Sequence, residues 1–191
     1  MVVSAPMNES ELRNLMFTAQ SLNNSPFTIR YPRGKGVLVD WETKMHLVEV
    51  GTGRKLCEGE DIAILSIGHI GNYVSKAINK LKIDGINPSH YDMRFVKPID
   101  EKLLHEALSN HKYIITVEDG CIMGGFGSAV LEFMADNNYS NTLVRLGIPD
   151  KIIEHGSQDE LYSECFYDDH AIYKSCFKIL DNKSRMKEVS V

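Results

Sequence analysis

Three stretches of this sequence bring together residue types that could do chemistry. Arg30-Tyr31-Pro32-Arg33-Gly34 sets two arginines around a Tyr-Pro at the end of a β-rich run, with a glycine behind them. An arginine at a strand terminus can hold a phosphate through paired, charge-assisted hydrogen bonds. The same string also reads as a solvated turn, and the residues alone leave both readings open. Glu118-Asp119 closes the run Tyr113 to Val117, where α/β sheets place functional groups. A free carboxylate pair there could act as acid and base. It could equally cap the amides of the following Gly124-Gly125-Phe126-Gly127-Ser128-Ala129. That string lacks Gly-x-Gly-x-x-Gly spacing, and no acidic residue ends the next strand near Leu146, so a dinucleotide loop has little support. Tight turning and close helix packing account for its glycines. Glu118, Gly124 and Gly125 are still the residues where an anion or other ligand would be sought.

Other chemistries are excluded by spacing. His69, His90, His105, His111, His155 and His170 show no His-x-x-x-His or Glu-x-x-His pattern, which argues against a metal site built from sequence neighbours. Cys57, Cys121, Cys165 and Cys176 contain no Cys-x-x-Cys pair and read as reduced thiols of a cytoplasmic protein. Ser66 and Ser128 lack a Gly-x-Ser-x-Gly elbow. The net charge of −5 argues against a nucleic-acid partner, which needs a basic face. The densest basic stretch, Lys183 to Lys187, lies in the expected tail. No apolar run reaches the roughly 18–20 residues of a membrane span. Hydrophobic residues at 43% and charged residues at 25% are the balance of a globular chain.

The elements that would position these residues follow from periodicity. Residues 1–6 have no basic leader region and read as the end of a strand, as if the chain begins inside a domain. Asn8 caps a helix, with Glu11 three residues on and Leu12, Leu15, Met16 and Ala19 at helical spacing. Asn23 to Pro26 breaks it, and Phe27 to Tyr31 is a strand. Residues 1–34 are thus strand, helix, strand, a set that needs a sheet the chain is not expected to supply. Residues 35–60 read as a connector with edge strands at Val37-Val39 and His46-Val50. From Asp61 the order is regular. Strands are expected at Ile62-Ile67, Tyr91-Val96, Tyr113-Val117 and Thr142-Leu146. Helices are expected after Gly68, after Asp100, over Gly125-Ala135 and from Asp169 to about Leu180. The apolar run Ile62-Ile67 suits a strand buried on both faces. The fold class is therefore α/β, a mostly parallel sheet with helices on both faces, preceded by a strand-helix-strand remnant.

Six strings then carry a resemblance. They are Arg30 to Gly34; Glu58 to Leu65; Asp92-Met93-Arg94-Phe95-Val96-Lys97-Pro98 onward to Glu101; Thr116 to Asp119; Gly124 to Val130; and Leu146 to Asp150 with Glu154-His155-Gly156. In order and spacing the chain resembles the C-terminal part of 1-deoxy-D-xylulose-5-phosphate synthases from Met1 to about Ser175. Transketolases and the β subunits of 2-oxoacid dehydrogenases share the architecture with less similar strings.

The resemblance implies a homodimeric parent of three α/β domains. Residues 1–36 would end the pyrimidine-binding domain, 37–60 would connect, and 61–191 would be the transketolase-like C-terminal domain. It implies condensation of pyruvate, after decarboxylation, with glyceraldehyde 3-phosphate, on the route to isoprenoids, thiamine and pyridoxal phosphate. Thiamine diphosphate and Mg²⁺ would serve the parent, with none expected on this fragment, because the family's diphosphate, Mg²⁺ and aminopyrimidine motifs and its active-site histidines have no counterpart here. The second arginine of the Arg-Tyr-Pro-Arg-Gly string binds the aldehyde's phosphate in the family, a role that carries to Arg33. The chain departs from the family at Phe166-Tyr167-Asp168-Asp169-His170, where relatives usually have a Gly-Leu-Asp-Ala-like turn, and after Asn182. Partners would be the missing N-terminal and pyrimidine-binding domains. Two other readings stand beside this one: an autonomous dimerisation or small-anion-binding module, and a small subunit of a split thiamine-diphosphate enzyme.

Overall fold

Two sheets organise the chain. The computed structural model describes residues 1–22, 25–37, 39–40 and 42–188, without side-chain detail for 182–188. The elements in order are β1 (Val2–Ser4), α1 (Glu9–Ser21), β2 (Phe27–Ile29), β3 (Arg54–Cys57), β4 (Ile62–Ile67), α2 (Gly71–Ile83), β5 (Ser89–Asp92), β6 (Phe95–Lys97), α3 (Glu101–Asn110), β7 (Tyr113–Cys121), α4 (Phe126–Asp136), β8 (Thr142–Ile148), α5 (Gln158–Glu164) and α6 (Asp169–Glu188).

The larger sheet runs β3-β5-β4-β7-β8. Its last four members are parallel and β3 is antiparallel on the edge. Every residue of β4 is buried, as its nearly continuous apolar run requires, and the one polar member, Ser66, meets His90 Nε2 at 2.8 Å. The period of two in a strand sends alternate residues to opposite faces. Ile62 and Ile64 therefore join Val74 and Leu81 of α2 and Ile172 and Cys176 of α6 on one face. Ala63 and Leu65 join Leu104 and Leu108 of α3 and Val130 and Phe133 of α4 on the other. The expected α/β architecture is present.

Several elements differ from the sequence reading. Tyr91–Val96 is not one strand. It divides into β5 and β6 at Met93-Arg94, where Arg94 has φ 55° and turns the chain away. β6 then pairs antiparallel with β1, completing a second sheet in the order β2-β1-β6. The chain thus supplies a third strand for residues 1–34. A small core of Val2, Leu15, Val48 and Phe95 closes beneath it. His46–Val50 forms no strand; the edge strand of this region is β3, paired with β5. Leu38, in the middle of the other expected edge strand, lies outside the described residues, as do Asn23 and Asn24 of the helix break. Gly125 is the cap of α4 rather than part of it. The last helix continues to Glu188, through the basic stretch read as a tail. α5 was not expected at all, although Ser157 and Glu160 form a complete capping box at its start.

A cluster of four charges ties the two sheets together. Asn8 caps α1 by accepting from the Glu11 amide, but the Glu11 carboxylate does not fold back on the cap. Its Oε1 accepts from Arg54 Nη1 at 2.9 Å and from Arg94 Nη2 at 3.1 Å, and Arg94 Nε stands 2.9 Å from its Oε2. Arg54 Nη2 reaches Asp92 Oδ2 at 3.0 Å. Two acids and two arginines are neutral as a group, which is how charges survive burial.

Burial pushes the Asp92 carboxyl up to about 6, against the pull of Arg54 and Arg94. The folded chain therefore holds this proton more tightly than the unfolded chain, whose aspartates titrate near 3.8. By linkage this group costs stability progressively as pH rises from about 4 to about 6, and the cost is complete above that window. Asp92→Asn should remove that component. Urea midpoints measured from pH 4 to 7 should fall less steeply for the variant than for the wild type; parallel profiles would contradict the assignment.

Candidate functional site

β4 is followed by β5 on one side and, after the crossover through α3, by β7 on the other. This reversal makes the crevice beyond the carboxyl ends of β4 and β7 the topological switch point, where open α/β sheets place their sites. Gly68 to Ile70 leaves β4 as a single 3-10 turn, and Gly68 takes φ 78° there. Across from it stand Glu118 and Asp119 at the end of β7.

The two carboxylates have different tasks. Glu118 is buried. Its Oε2 accepts from the Phe126 amide and its Oε1 from the Gly127 amide, both at 2.8 Å. It thus neutralises the positive end of α4. A Cβ on Gly125 would run into Glu118 Oε2 and the Cys121 carbonyl, so the close approach requires glycine. The Gly124 amide donates to Ser128 Oγ at 3.0 Å. The loop formed by Gly124 and Gly125 is therefore held by the chain's own groups.

Asp119 belongs to a second network. Tyr167 Oη donates to Asp119 Oδ1 at 2.9 Å. His69 Nε2 lies 3.5 Å from Asp119 Oδ2 and 2.8 Å from Tyr162 Oη. Gln158 Nε2 donates to Tyr162 Oη at 3.2 Å. Burial pushes the His69 imidazole below its ordinary value, with Arg30 adding to the effect and Asp119 opposing it. His69 is thus a neutral hydrogen-bonding partner at neutral pH, with tautomer deciding which way its bonds run. Burial also pushes Tyr162 up to about 12.

Tyr167 is delivered by the turn that ends α5. Tyr167 N donates to Tyr162 O and Phe166 N to Ser163 O, the paired bonds of a Schellman cap. Phe166 occupies its left-handed position with φ 58° and a side chain 74% exposed. The residue at this turn is a phenylalanine in a backbone conformation that glycine adopts most readily.

A cleft of about 390 Å³ opens beside this network. It is lined by the strap of Tyr31, Pro32 and Gly34 to Val37, by the start of α1 at Asn8, Glu9 and Leu12, and by His69, α2 and α5, the last through Gln158 and Tyr162. Lys76 Nζ lies 4.6 Å above the Tyr73 ring. Arg33 is exposed on the strap, outside the cleft lining. Arg30 crosses the switch point: its Nη1 is 3.0 Å from where a Cβ on Gly120 would be. The sequence set Arg33 beside Arg30 and Glu118 before the glycine loop; the structure joins Glu118 to that loop and leaves Arg33 exposed while Arg30 reaches Gly120. It adds His69, Gln158 and Tyr162, which the sequence reading did not single out. Their signal was the capping box of α5 and the place of His69 after a buried strand.

Residues 51–172 match the family described as transketolase, C-terminal domain. The chain belongs to that family. Its match to curated relatives extends further. The 1-deoxy-D-xylulose-5-phosphate synthase of Cytophaga hutchinsonii is 61% identical over 176 residues, 92% of this chain and 28% of that protein. The enzyme of the same name from Bacteroides thetaiotaomicron is 50% identical over 194 residues, 100% of this chain and 30% of that protein. This chain thus spans less than a third of these relatives and corresponds to their C-terminal part. Among solved structures, a split-gene transketolase, an inactive β4 tetramer, superposes with a TM-score of 0.77 at 24% identity. The alignment covers 93% of this chain and 56% of that one, and bears on the fold alone.

Two substitutions check the local geometry in urea unfolding of the purified chain. Glu118→Ala strands two buried amides and should cost about 2–3 kcal/mol; a loss below about 0.5 kcal/mol would mean that other acceptors replace the carboxylate. Phe166→Gly relieves the left-handed strain and should stabilise by about 1 kcal/mol. A destabilised variant would show instead that the ring packs usefully.

Proposed function

We propose that this chain is the C-terminal part of a thiamine-diphosphate-dependent synthase that condenses pyruvate, with loss of CO2, and glyceraldehyde 3-phosphate. The observation that carries the proposal is the 61% identity to such a synthase over 92% of the chain. The Arg30-Tyr31-Pro32-Arg33-Gly34 string supports it, since Arg33 stands exposed on a strap free to meet a ligand brought by other domains. On this reading residues 1–36 close the pyrimidine-binding domain, and the partners are the preceding domains of the same enzyme. The working form is a homodimer in the cytoplasm, and the isolated chain is inactive. No described helix is long and apolar enough to cross a membrane.

The cofactor this reading implies does not fit the residues present. Mg²⁺ requires oxygen ligands in near-octahedral array. Among the described residues no group of three or more His, Cys, Asp or Glu converges. The switch-point carboxylates are already engaged by amides and a tyrosine. Binding of thiamine diphosphate and Mg²⁺ is therefore assigned to the rest of the enzyme, and this chain's contribution is to hold substrate phosphate.

Arg33 would meet that dianion with two charge-assisted bonds. In the complete enzyme Arg33→Ala should raise the KM for glyceraldehyde 3-phosphate about 10–100-fold. The KM for pyruvate should stay near its original value. An unchanged aldehyde KM would remove Arg33 from the phosphate site, and a complete enzyme that consumed pyruvate without consuming the aldehyde would overturn the reaction itself.

A further inference from the structure

Arg33 lies on a strap whose two flanks rest on the same polar network. On one flank, Arg30 N donates to Ser4 O at 2.8 Å, which fixes the end of β2 to β1. The Arg30 guanidinium then spans Gly120, beside His69 and Asp119. On the other flank, Gly34 lies so close to Gln158 that a Cβ there would run into the amide oxygen. Gln158 Nε2 donates to Tyr162 Oη, Tyr162 Oη meets His69 Nε2, and His69 faces Asp119, whose other oxygen is held by Tyr167. A continuous series of side chains thus runs from Gly34 to the end of β7 and back to the ground beneath Arg30. Tyr162 is 4% exposed and Tyr167 is 1% exposed, so the far part of the series is fixed by packing. The near part, Gln158, is half-buried at the first turn of α5.

We propose that Gln158, braced by Tyr162 and His69, is a positioning residue for Arg33: the C-terminal domain sets the height and orientation of the strap, and through it the phosphate specificity of a site lying outside the domain. This inference rests on Arg33 holding the substrate phosphate. The strap is seated a second time where Gly36 lies against the Glu9 carboxylate, so Gln158 holds the side nearer to Arg33. Tyr31, Gly34, Lys35 and Gly36 are exposed, and the segment forms no strand or helix. Removing the Gln158 amide takes away the surface against which Gly34 is seated. A displacement of the order of 1 Å at an arginine fork is enough to lose one of its two bonds to a phosphate. Tyr162→Phe removes only one hydroxyl from a well-packed ring and should reproduce part of the effect through the freed Gln158.

The test is steady-state kinetics of the complete enzyme with glyceraldehyde 3-phosphate and with phosphate-free glyceraldehyde. Gln158→Ala should raise the KM for the phosphorylated aldehyde about three- to tenfold, with the KM for pyruvate and the rates with phosphate-free glyceraldehyde unaltered. In an Arg33→Ala background it should raise the KM no further, because two residues acting through one contact are not additive. Tyr162→Phe should follow the same pattern, so the answer does not hang on one variant folding. A wild-type KM for both variants, with Arg33→Ala still impaired, overturns this inference alone. The same holds if the rise persists in the Arg33→Ala background or appears equally with phosphate-free glyceraldehyde. If Arg33→Ala itself leaves the KM unchanged, the phosphate assignment falls and this inference with it.

Discussion

The buried cluster of Glu11, Arg54, Asp92 and Arg94 is the constraint on which the arrangement of this chain depends. Each member comes from a different place: Glu11 from the first turn of α1, Arg54 from the edge strand β3, Asp92 from the end of β5, and Arg94 from the turn into β6. The charges sum to zero, and Glu11 alone accepts from both arginines. Such clusters add little net stability over an apolar core, because desolvation offsets the Coulomb gain. They are strongly selective about geometry, since displacing one member leaves another charge buried without its partner. Here that selectivity locks the small sheet to the large one. The Arg94 turn that joins the cluster is also what sends β6 out of the large sheet to pair with β1.

With that junction set, the rest of the site follows from topology. β1 is placed beside the carboxyl ends of the large sheet, and the Ser4 carbonyl receives the Arg30 amide. Arg30 is thereby brought over the switch point between β4 and β7. The strap beyond it crosses toward α5, and Arg33 is carried to the surface. The switch point, which in open α/β sheets commonly receives a ligand, is here closed by a tyrosine-histidine-aspartate network and an arginine. The network and the strap together also line the cleft that opens beside them.

The large sheet was legible because its code is local. Ile62 to Ile67 is apolar but for Ser66, the helices on either side repeat at helical spacing, and Asp100 announces α3 as a cap, accepting from the Leu103 amide at 2.9 Å. What misled was long-range. Tyr91 to Val96 has the composition of one strand, yet an arginine at positive φ divides it between two sheets. His46 to Val50 alternates like a strand, but Val48 is claimed by the small core under α1, with its amide donating to Thr18 Oγ1. α5 was missed for a different reason: it is short, and its burial rests on one residue, Tyr162, too little for periodicity to register. Phe166 shows the opposite case, a residue type that hides a backbone conformation its neighbours still impose.

By itself, then, the sequence determined the α/β class, the central strands and flanking helices of the large sheet, the family, and the identity of the arginine pair around Tyr31-Pro32. Each of these is written in side-chain type and spacing along a few consecutive residues. Only the tertiary structure decided that the first 34 residues find their third strand inside this chain. It also decided that Glu118 belongs to α4 while Asp119 belongs to a network with His69, and that Gly34 is seated on Gln158. Those facts join residues as far as 124 positions apart, through hydrogen-bond geometry and buried charge rather than hydrophobic pattern. A linear code that repeats every two or 3.6 residues carries no information about which distant polar group will complete them.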